Sequence, residues 1–274
     1  MKKAIKLAVV FVMSVMLCAL FAVFASAETY DVKLSWANTN QTWDSSNKTF
    51  KTNEDGTFTI PERQSTVTEG KEFYGWFGPD GAFYKVGDVV TFTGNVELFE
   101  ANAWVINSQS DAASLLTKKG NQLVKLNCDL TFTSYIHFDE WTTHRIDLNG
   151  HTLTITSTGE YAMYVKRGGV KFFNSGSEEA KILGTVKENG GRAFIHLEPH
   201  GYGDGRNHRL FVGKNIYIET NKSLIWTHHS YTGNETIESP KLELYGKAKA
   251  ENLIRTNGTS QSFVNAQISL FDGA

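Results

Sequence analysis

The sequence predicts an all-β protein in which a small β-rich module precedes a parallel β-solenoid with a short capping helix. The clearest observation is the stretch RIDLNGHTLTI at residues 145–155, where apolar and polar residues alternate on both sides of Asn149-Gly150. Alternation at period two around Asn-Gly indicates strand, tight turn and strand, and a single such unit would be a β-hairpin. Weaker copies of this unit follow along the chain. Their recurrence favours successive coils of a solenoid over a lone hairpin.

Residues 1–27 are predicted to be a signal peptide rather than part of the fold. Lys2, Lys3 and Lys6 form a basic start, an apolar run covers residues 7–24, and Ala25-Ser26-Ala27 has the small-x-small pattern of a cleavage site. A retained membrane anchor is the alternative, since a span needs about 17–25 residues. With the cleavage pattern directly after the run, we expect removal before Glu28 and a secreted or cell-surface protein.

Composition limits the classes of partner. Without the signal peptide the chain has 24 basic and 29 acidic residues and a single cysteine, Cys128, which leaves no internal disulfide. A chain of about 250 residues can bury an adequate core without one. The mildly acidic balance and the lack of a basic cluster argue against nucleic acid. No further apolar run is long enough for a transmembrane segment in the mature chain.

The first module, residues 28–104, has short strand-like runs rich in threonine and aromatic residues, separated by turns, and no helical period. Its motifs resemble the internalin-type B repeat, also called the Listeria–Bacteroides repeat, over residues 32–104. The matching residues are Phe73-Tyr74-Gly75-Trp76, Gly81, Tyr84, Gly87-Asp88, Leu98-Phe99 and Trp104. The resemblance implies a β-grasp-like spacer or binding unit of extracellular bacterial proteins. The ending is two residues longer than the family's, which predicts a bulge in the last strand.

The aromatic residues of this module allow two interpretations. Trp76, Tyr84 and Trp104 could form an exposed ligand platform. The favoured interpretation is that they form the core of a small domain that is short of aliphatic residues.

The second module, residues 105–274, begins with a predicted helix at about residues 110–119. Ser110-Asp111 can cap its first turn, Gly120 can end it, and Ala112, Leu115 and Leu116 give it one apolar face. A helix at this place would cover the open first coil of a solenoid, whose strand edges otherwise invite aggregation.

Three short strand types then recur. The first is an apolar pair before a turn, and its six copies begin at Val124, Ile146, Val170, Leu210, Leu242 and Ile268. A second strand follows the turn, and a third apolar run comes next at residues 135–138, 162–165, 193–197, 224–228 and 253–256. Three strands per 22 to 40 residues are typical of a solenoid. A β-sandwich, with strands every 8–12 residues, is the structural alternative.

The stretches AASLLTKKG, LVKLNCDLTF and IDLNGHTLTI resemble the right-handed parallel β-helix of the pectate-lyase-like superfamily, over residues 110–274. The resemblance implies architecture more than activity, because lyases, hydrolases, adhesins and phage proteins share this fold. Its lyases use clustered aspartates for calcium and an arginine or lysine base, and its hydrolases use two or three aspartates. Here Asp129 and Asp147 lie on opposite sides of a turn and need not meet, so we assign no catalytic residue.

The third strand type carries the candidate ligand-binding residues. If Ile136, Met163, Ile195 and Leu253 or their neighbours point inward, period two places one polar or aromatic residue per coil outward, about 4.8 Å apart. These residues are His137, Tyr164, His196, Trp226 and Arg255. Such a stripe can stack on sugar rings and hydrogen-bond their hydroxyls. The alternative is a stack that only stabilises the coils, and a one-residue slip would turn the stripe inward.

No cofactor or metal is expected. His196, His200, Asp204 and His208 could hold a metal, but Glu198-Pro199 breaks the helix that would bring the first two together, which favours a polar loop. The first functional hypothesis is therefore non-catalytic adhesion to a glycan or a host surface. The alternatives are a polysaccharide lyase or glycoside hydrolase, and a purely structural stalk. The uncapped ending at Asp272-Gly273-Ala274 predicts a fragment or an unusually short β-helix.

Overall fold

The computed structural model describes residues 28–35, 48–63, 69–117, 123–138, 142–165, 168–197, 209–227, 241–256 and 267–271. Strands are numbered in chain order. The first module contains β1 (Asp31–Ser35), β2 (Lys48–Lys51), β3 (Thr57–Thr59), β4 (Lys71–Phe77), β5 (Phe83–Tyr84), β6 (Val89–Thr91) and β7 (Val96–Ile106). The helix α1 (Gln109–Leu115) follows. None of the helices in these ranges is long and apolar enough to cross a membrane.

The rest of the described chain forms three parallel sheets with one strand of each sheet per coil. Sheet 1 contains β8 (Leu123–Leu126), β11 (Thr142–Asp147), β14 (Gly168–Phe173), β17 (Arg209–Val212), β20 (Lys241–Leu244) and β23 (Gln267–Leu270). Sheet 2 contains β9 (Leu130–Phe132), β12 (Thr152–Thr156), β15 (Ala180–Thr185), β18 (Ile216–Thr220) and β21 (Lys247–Lys249). Sheet 3 contains β10 (Ile136–Phe138), β13 (Tyr161–Val165), β16 (Ala193–Leu197), β19 (Ser223–Thr227) and β22 (Ile254–Thr256). This arrangement is compatible with a β-helix-like solenoid.

Ladders of apolar residues from the three sheets form one core. In sheet 1 the register places Ile146 beside Phe172, then Val212, then Leu244, and all four are buried. The sequence repeat had aligned Ile146 with Val170, so this coil is shifted by two residues from the prediction. A shift of two keeps the same faces inward, because side chains alternate at period two.

Asn149-Gly150 is a corner between sheets 1 and 2 rather than a hairpin turn. It joins β11 to β12, which pair with different neighbours. Asn149 has φ 49° and Gly150 has φ 80°, a left-handed region that asparagine and glycine tolerate best. The Asn149 Nδ2 donates to the Leu126 carbonyl of the preceding coil at 3.0 Å. The corner therefore supplies a side-chain donor to a backbone acceptor of the neighbouring coil.

The helix begins before its predicted start. Its N-cap is Ser108, whose Oγ accepts from the Asp111 backbone N–H and donates to the Asp111 carboxylate at 2.8 Å. The predicted cap at Ser110 is therefore wrong by two residues, because Ser108 has the extended backbone that a cap requires. The predicted end at Gly120 is also wrong, because the helix ends at Leu115 with Leu116 as its C-cap, several residues earlier. Ala112 and Leu116 are buried in the solenoid core.

The two modules share a strand, and the predicted boundary at residue 104 lies inside it. The middle of β7 pairs antiparallel with β4, while its last residues pair parallel with β8 and so begin sheet 1. The bulge in this ladder is found at Tyr74 on β4, not on the last strand as predicted. Trp76 is buried in the module core and its Nε1 donates to the Pro61 carbonyl, and Tyr84 packs partly buried against that core.

The first module also packs on the outer face of sheet 1. The Phe77 ring lies 4.6 Å from the Phe173 ring, centroid to centroid, and Tyr74 Oη donates to Asp147 Oδ2 at 2.7 Å. Lys214 forms an ion pair with Asp80, and its backbone N–H donates to the Asp80 carbonyl. This packing covers the outer face of sheet 1 around Phe173 and Phe211, whereas sheet 3 is a separate sheet.

Candidate functional site

The five predicted ligand-binding residues occupy successive positions of one ladder on sheet 3. His137 pairs with Tyr164, Tyr164 with His196, His196 with Trp226, and Trp226 with Arg255. None of the five belongs to the apolar core cluster, whereas their strand neighbours Ile136, Met163, Ile195 and Ile225 do. The inward position predicted at Leu253 or a neighbour falls on Ile254, which pairs with Ile225, and Leu253 and Ile254 both pack partly buried against the core.

The aromatic members of this ladder stack along the sheet. Ring centroids are 4.8 Å apart between His137 and Tyr164, 5.0 Å between Tyr164 and His196, and 4.1 Å between His196 and Trp226. These distances match the spacing of parallel strands, so the register itself brings the rings into contact. Stacked aromatic pairs add about 1 kcal/mol each beyond their burial.

Exposure is unequal along the ladder. His137 and Arg255 at its two ends are exposed and Tyr164 is half-buried, but the side chains of His196 and Trp226 are only 7% and 5% exposed. An outward position therefore does not make every member accessible. Of the predicted aromatic residues, His137 and Tyr164 offer ring surface to a ligand.

Two neighbours account for part of the burial of Trp226. The Arg192 guanidinium carbon lies 4.2 Å from the centroid of the Trp226 ring, and the Tyr161 ring stacks at 6.5 Å. Tyr161 reaches across the sheet because the next residues in its row, Ala193 and Ser223, are small. The middle of the ladder is thus a packed cluster.

Tyr135 and Tyr161 widen the accessible end and were missed by the sequence reasoning. Tyr135 is 49% exposed, and its ring lies 5.5 Å from Tyr161 and 6.5 Å from His137. Tyr161 lies 5.4 Å from Tyr164. We name the surface formed by Tyr135, His137, Tyr161 and Tyr164 the aromatic surface. The available signal was a tyrosine two or three residues before the outward residue of two successive third strands, at Tyr135 and Tyr161.

A charged cleft of about 490 Å³ adjoins the other end of the ladder. Its acids and bases pair with one another: Arg192 Nε lies 3.0 Å from Glu160 Oε2, and Lys222 Nζ lies 3.0 Å from Glu251 Oε1. The hydrogen bond from Lys222 to Glu251 raises the pKa of the Lys222 ammonium. Arg255 belongs to both the cleft and the ladder. The cleft offers polar partners of both signs to a hydroxyl-rich ligand.

The aspartates considered for catalysis do not meet. Asp147 is fully buried and accepts hydrogen bonds from Tyr74 Oη and Ser175 Oγ, whereas Asp129 lies 3.3 Å from His151. Burial, with Asp147 beside it, raises the pKa of the Tyr74 phenol well above its usual value, so Tyr74 remains a donor. Asp147 is therefore part of the contact between the modules.

Four residues at and after the end of β16 were candidate metal ligands in the sequence. His196 lies in the ladder, and His200, Asp204 and His208 are outside the described residues. Within the part of the chain that the structure describes, no group of three or more histidine, cysteine, aspartate or glutamate residues is arranged to hold a metal.

Comparisons with protein-family models, curated proteins and solved structures give no match for this chain.

Proposed function

We propose that the protein binds a glycan without cleaving it, on the aromatic surface of sheet 3. The observation that carries the proposal is the contiguous group of accessible rings at the β10 end of the ladder, where Tyr135 is 49% exposed and His137 is exposed. Neighbouring rings on adjacent strands provide a surface that successive sugar units can cover.

The chemistry of these side chains suits a carbohydrate. Tyrosine rings stack on the apolar C–H face of a sugar, and the tyrosine hydroxyl and the imidazole nitrogens exchange hydrogen bonds with sugar hydroxyls. Each stacking contact adds about 1 kcal/mol. With few contacts on an open surface, we expect an affinity near the millimolar range for one short chain, or about 4 kcal/mol.

The proposal includes an extracellular setting. Cleavage of the signal peptide after Ala27 would place the chain in the secreted or cell-surface fraction. There the B-repeat-like module would act as a spacer and the right-handed β-helix, closed by α1, as the adhesive unit. The partner would be an extracellular glycan or a glycan-bearing host surface.

A structural stalk is the second candidate, and the burial of the ladder's middle favours it. His196 and Trp226 stack at 4.1 Å with almost no exposed surface, which is what a purely stabilising stack requires. The stalk and the glycan-binding proposal differ in what they predict for the exposed tyrosines.

The test is a glycan array followed by titration of the best ligand, with Tyr135→Ala and Tyr164→Ala on the mature chain. We expect each to weaken binding about tenfold, equivalent to about 1.4 kcal/mol. The matched control is Tyr217→Ala on sheet 2, where Tyr217 Oη donates to Glu219 on the same strand. The proposal fails if no glycan binds, or if the control loses as much affinity as the other two variants.

Two further measurements separate the alternatives. Release of reducing sugars or unsaturated products from the bound glycan would favour the lyase or hydrolase. Trp226→Ala is a test of packing, because its side chain is 5% exposed and truncation of a buried tryptophan costs about 3 kcal/mol of stability. A loss of binding by this variant is therefore interpreted only after an unfolding curve has shown that the variant is folded.

A further inference from the structure

Positively charged side chains from three adjacent strands lie close together on the outer face of sheet 1, beside the part that packs on the first module. The register places Arg145 on β11 directly beside Lys171 on β14. Arg209 on β17 lies against Gly169 of β14, since a Cβ atom built there would be 2.9 Å from the Arg209 Cγ. The absence of a side chain at Gly169 therefore lets Arg209 lie against the strand that carries Lys171.

Two cationic side chains and one carboxylate of the described residues act on the Lys171 ammonium. Arg145 and Arg209 both disfavour its ammonium form, whereas the Glu243 carboxylate favours it. Glu243 also faces Arg209, whose Nη1 lies 3.7 Å from Glu243 Oε1. Among the described residues, no carboxylate lies within 4 Å of the Lys171 Nζ. Like charges on neighbouring strands destabilise a sheet.

Packing holds this group in place. The Lys171 Nζ lies 5.1 Å from the centroid of the Phe211 ring, and Phe211 is buried against the first module. Burial lowers the pKa of Lys171 to about 8 and that of Arg145 to about 10. The cluster still opens to solvent, because the side chains of Arg209 and Glu243 are 20% and 28% exposed.

We propose that Arg145, Lys171 and Arg209 form a binding site for a tetrahedral oxyanion, a sulfate or phosphate group. Guanidinium forks bind such oxygens in pairs, and an ammonium adds a further charge-assisted hydrogen bond. The donors lie on three strands and can approach an anion from three directions. This arrangement suits the oxygens of a tetrahedral anion better than the two coplanar oxygens of a carboxylate. The site lies on sheet 1, so it is independent of the aromatic surface on sheet 3.

The first experiment measures the melting temperature of the mature chain in chloride, sulfate and phosphate at equal ionic strength, with isothermal titration by inorganic sulfate and phosphate. We expect both oxyanions to raise the melting temperature above its value in chloride. Lys171→Met should raise the melting temperature in chloride, because it removes a repelled charge and keeps the packed stem. It should also weaken oxyanion binding at least tenfold.

Two variants make the test specific. Arg209→Gln should weaken oxyanion binding by a similar factor, and it provides a second measurement if Lys171→Met does not fold. Lys181→Met, at an exposed position of β15 on sheet 2, is the matched control and should bind like wild type. The proposal is overturned if sulfate and phosphate act no differently from chloride, or if the control loses binding equally.

A second set of ligands distinguishes a free inorganic anion from a sulfate or phosphate group carried on a larger molecule. Glucose 6-sulfate and glucose 6-phosphate are titrated beside the inorganic ions. Tighter binding of an ester than of its inorganic ion would assign the site to a group carried on a larger ligand. Equal or weaker binding of the esters would assign it to the free anion.

Discussion

At the scale of single residues, the environment decides what a side chain can do. Trp226 and Tyr164 occupy equivalent ladder positions, yet Trp226 is closed off by its neighbours and Tyr164 is half-buried. Lys171 is an ordinary outward lysine in the sequence, but in the fold it faces Arg145, Arg209 and the carboxylate of Glu243. Its charge is therefore a cost to the folded state that an exposed lysine does not carry.

This cost predicts a pH dependence. The pKa of Lys171 is about 8 in the folded state against 10.5 in the unfolded state, so between these values the unfolded chain binds more protons. Stability should therefore rise with pH from about 8 to 10.5, by about 2 kcal/mol after allowance for partial exposure.

The measurement is urea unfolding at pH 7.5, 9 and 10.5, for wild type and for Lys171→Met. Other groups that titrate in this range, including Arg145, are common to both proteins, so the difference between the curves isolates Lys171. We expect the two proteins to differ most at pH 7.5 and to converge at pH 10.5. Parallel curves across this range would contradict the prediction.

At the scale of elements, a close fit between two strands constrains the coil that contains β15 and β16. Gly184 on β15 faces Phe194 on β16 inside the solenoid, and a Cβ atom at Gly184 would lie 2.1 Å from the Phe194 Cδ2. The large ring of one strand therefore fills space that a glycine on another strand leaves open. The Asn149-Gly150 corner shows the same dependence, because its left-handed backbone suits few other residues.

Gly184→Ala should consequently destabilise the protein by about 1–3 kcal/mol, the usual cost of overpacking a core. Glycine to alanine in a strand would otherwise be slightly stabilising, because it reduces the entropy of the unfolded chain. The measurement is the midpoint of denaturant unfolding. Gly94→Ala is the control, since nothing lies within 4 Å of its built Cβ, and it should stay near wild type. Equal midpoints for the two variants would refute the fit described for Phe194.

At the scale of the whole molecule, the two modules are joined by more than a linker. They share β7, their rings pack at Phe77 and Phe173, and Tyr74 donates to the buried Asp147. Asp147 in turn accepts hydrogen bonds from the Ser175 Oγ and from the backbone N–H groups of Asn149 and Ser175. The corner of the solenoid and the bulged strand of the first module therefore use one carboxylate.

We expect the modules to unfold together, and Tyr74→Phe to lower the stability of both. Removing this hydroxyl leaves a buried carboxylate with one donor fewer, which costs about 1–3 kcal/mol. Hydrogen exchange should show lost protection in β4 and in β11 to β14. The control is Tyr30→Phe, whose hydroxyl donates to Glu28 at the exposed start of the module and should matter little. Lost protection in only one module would contradict the coupling.

Part of the site was predictable because it depends on short-range pattern. Period two and the recurrence of three strand types were enough to place His137, Tyr164, His196, Trp226 and Arg255 in one row. The contribution of Tyr161 and Arg192 to the burial of Trp226 could not be predicted from this pattern. It depends on the small side chains of Ala193 and Ser223 beside them, and on where Arg192 places its guanidinium.

The sequence by itself determined that the chain forms short strands in a repeating order, that its corners fall at asparagine and glycine, and which apolar residues face inward. These features follow from local periodicity and backbone preference. Only the tertiary structure decided the two-residue shift between β11 and β14, the burial of Trp226, the shared strand β7 and the meeting of Arg145, Lys171 and Arg209. The reason is physical: strands that pair in a solenoid are 20 to 40 residues apart in the chain, so the register between coils, and not the local sequence, decides which side chains meet.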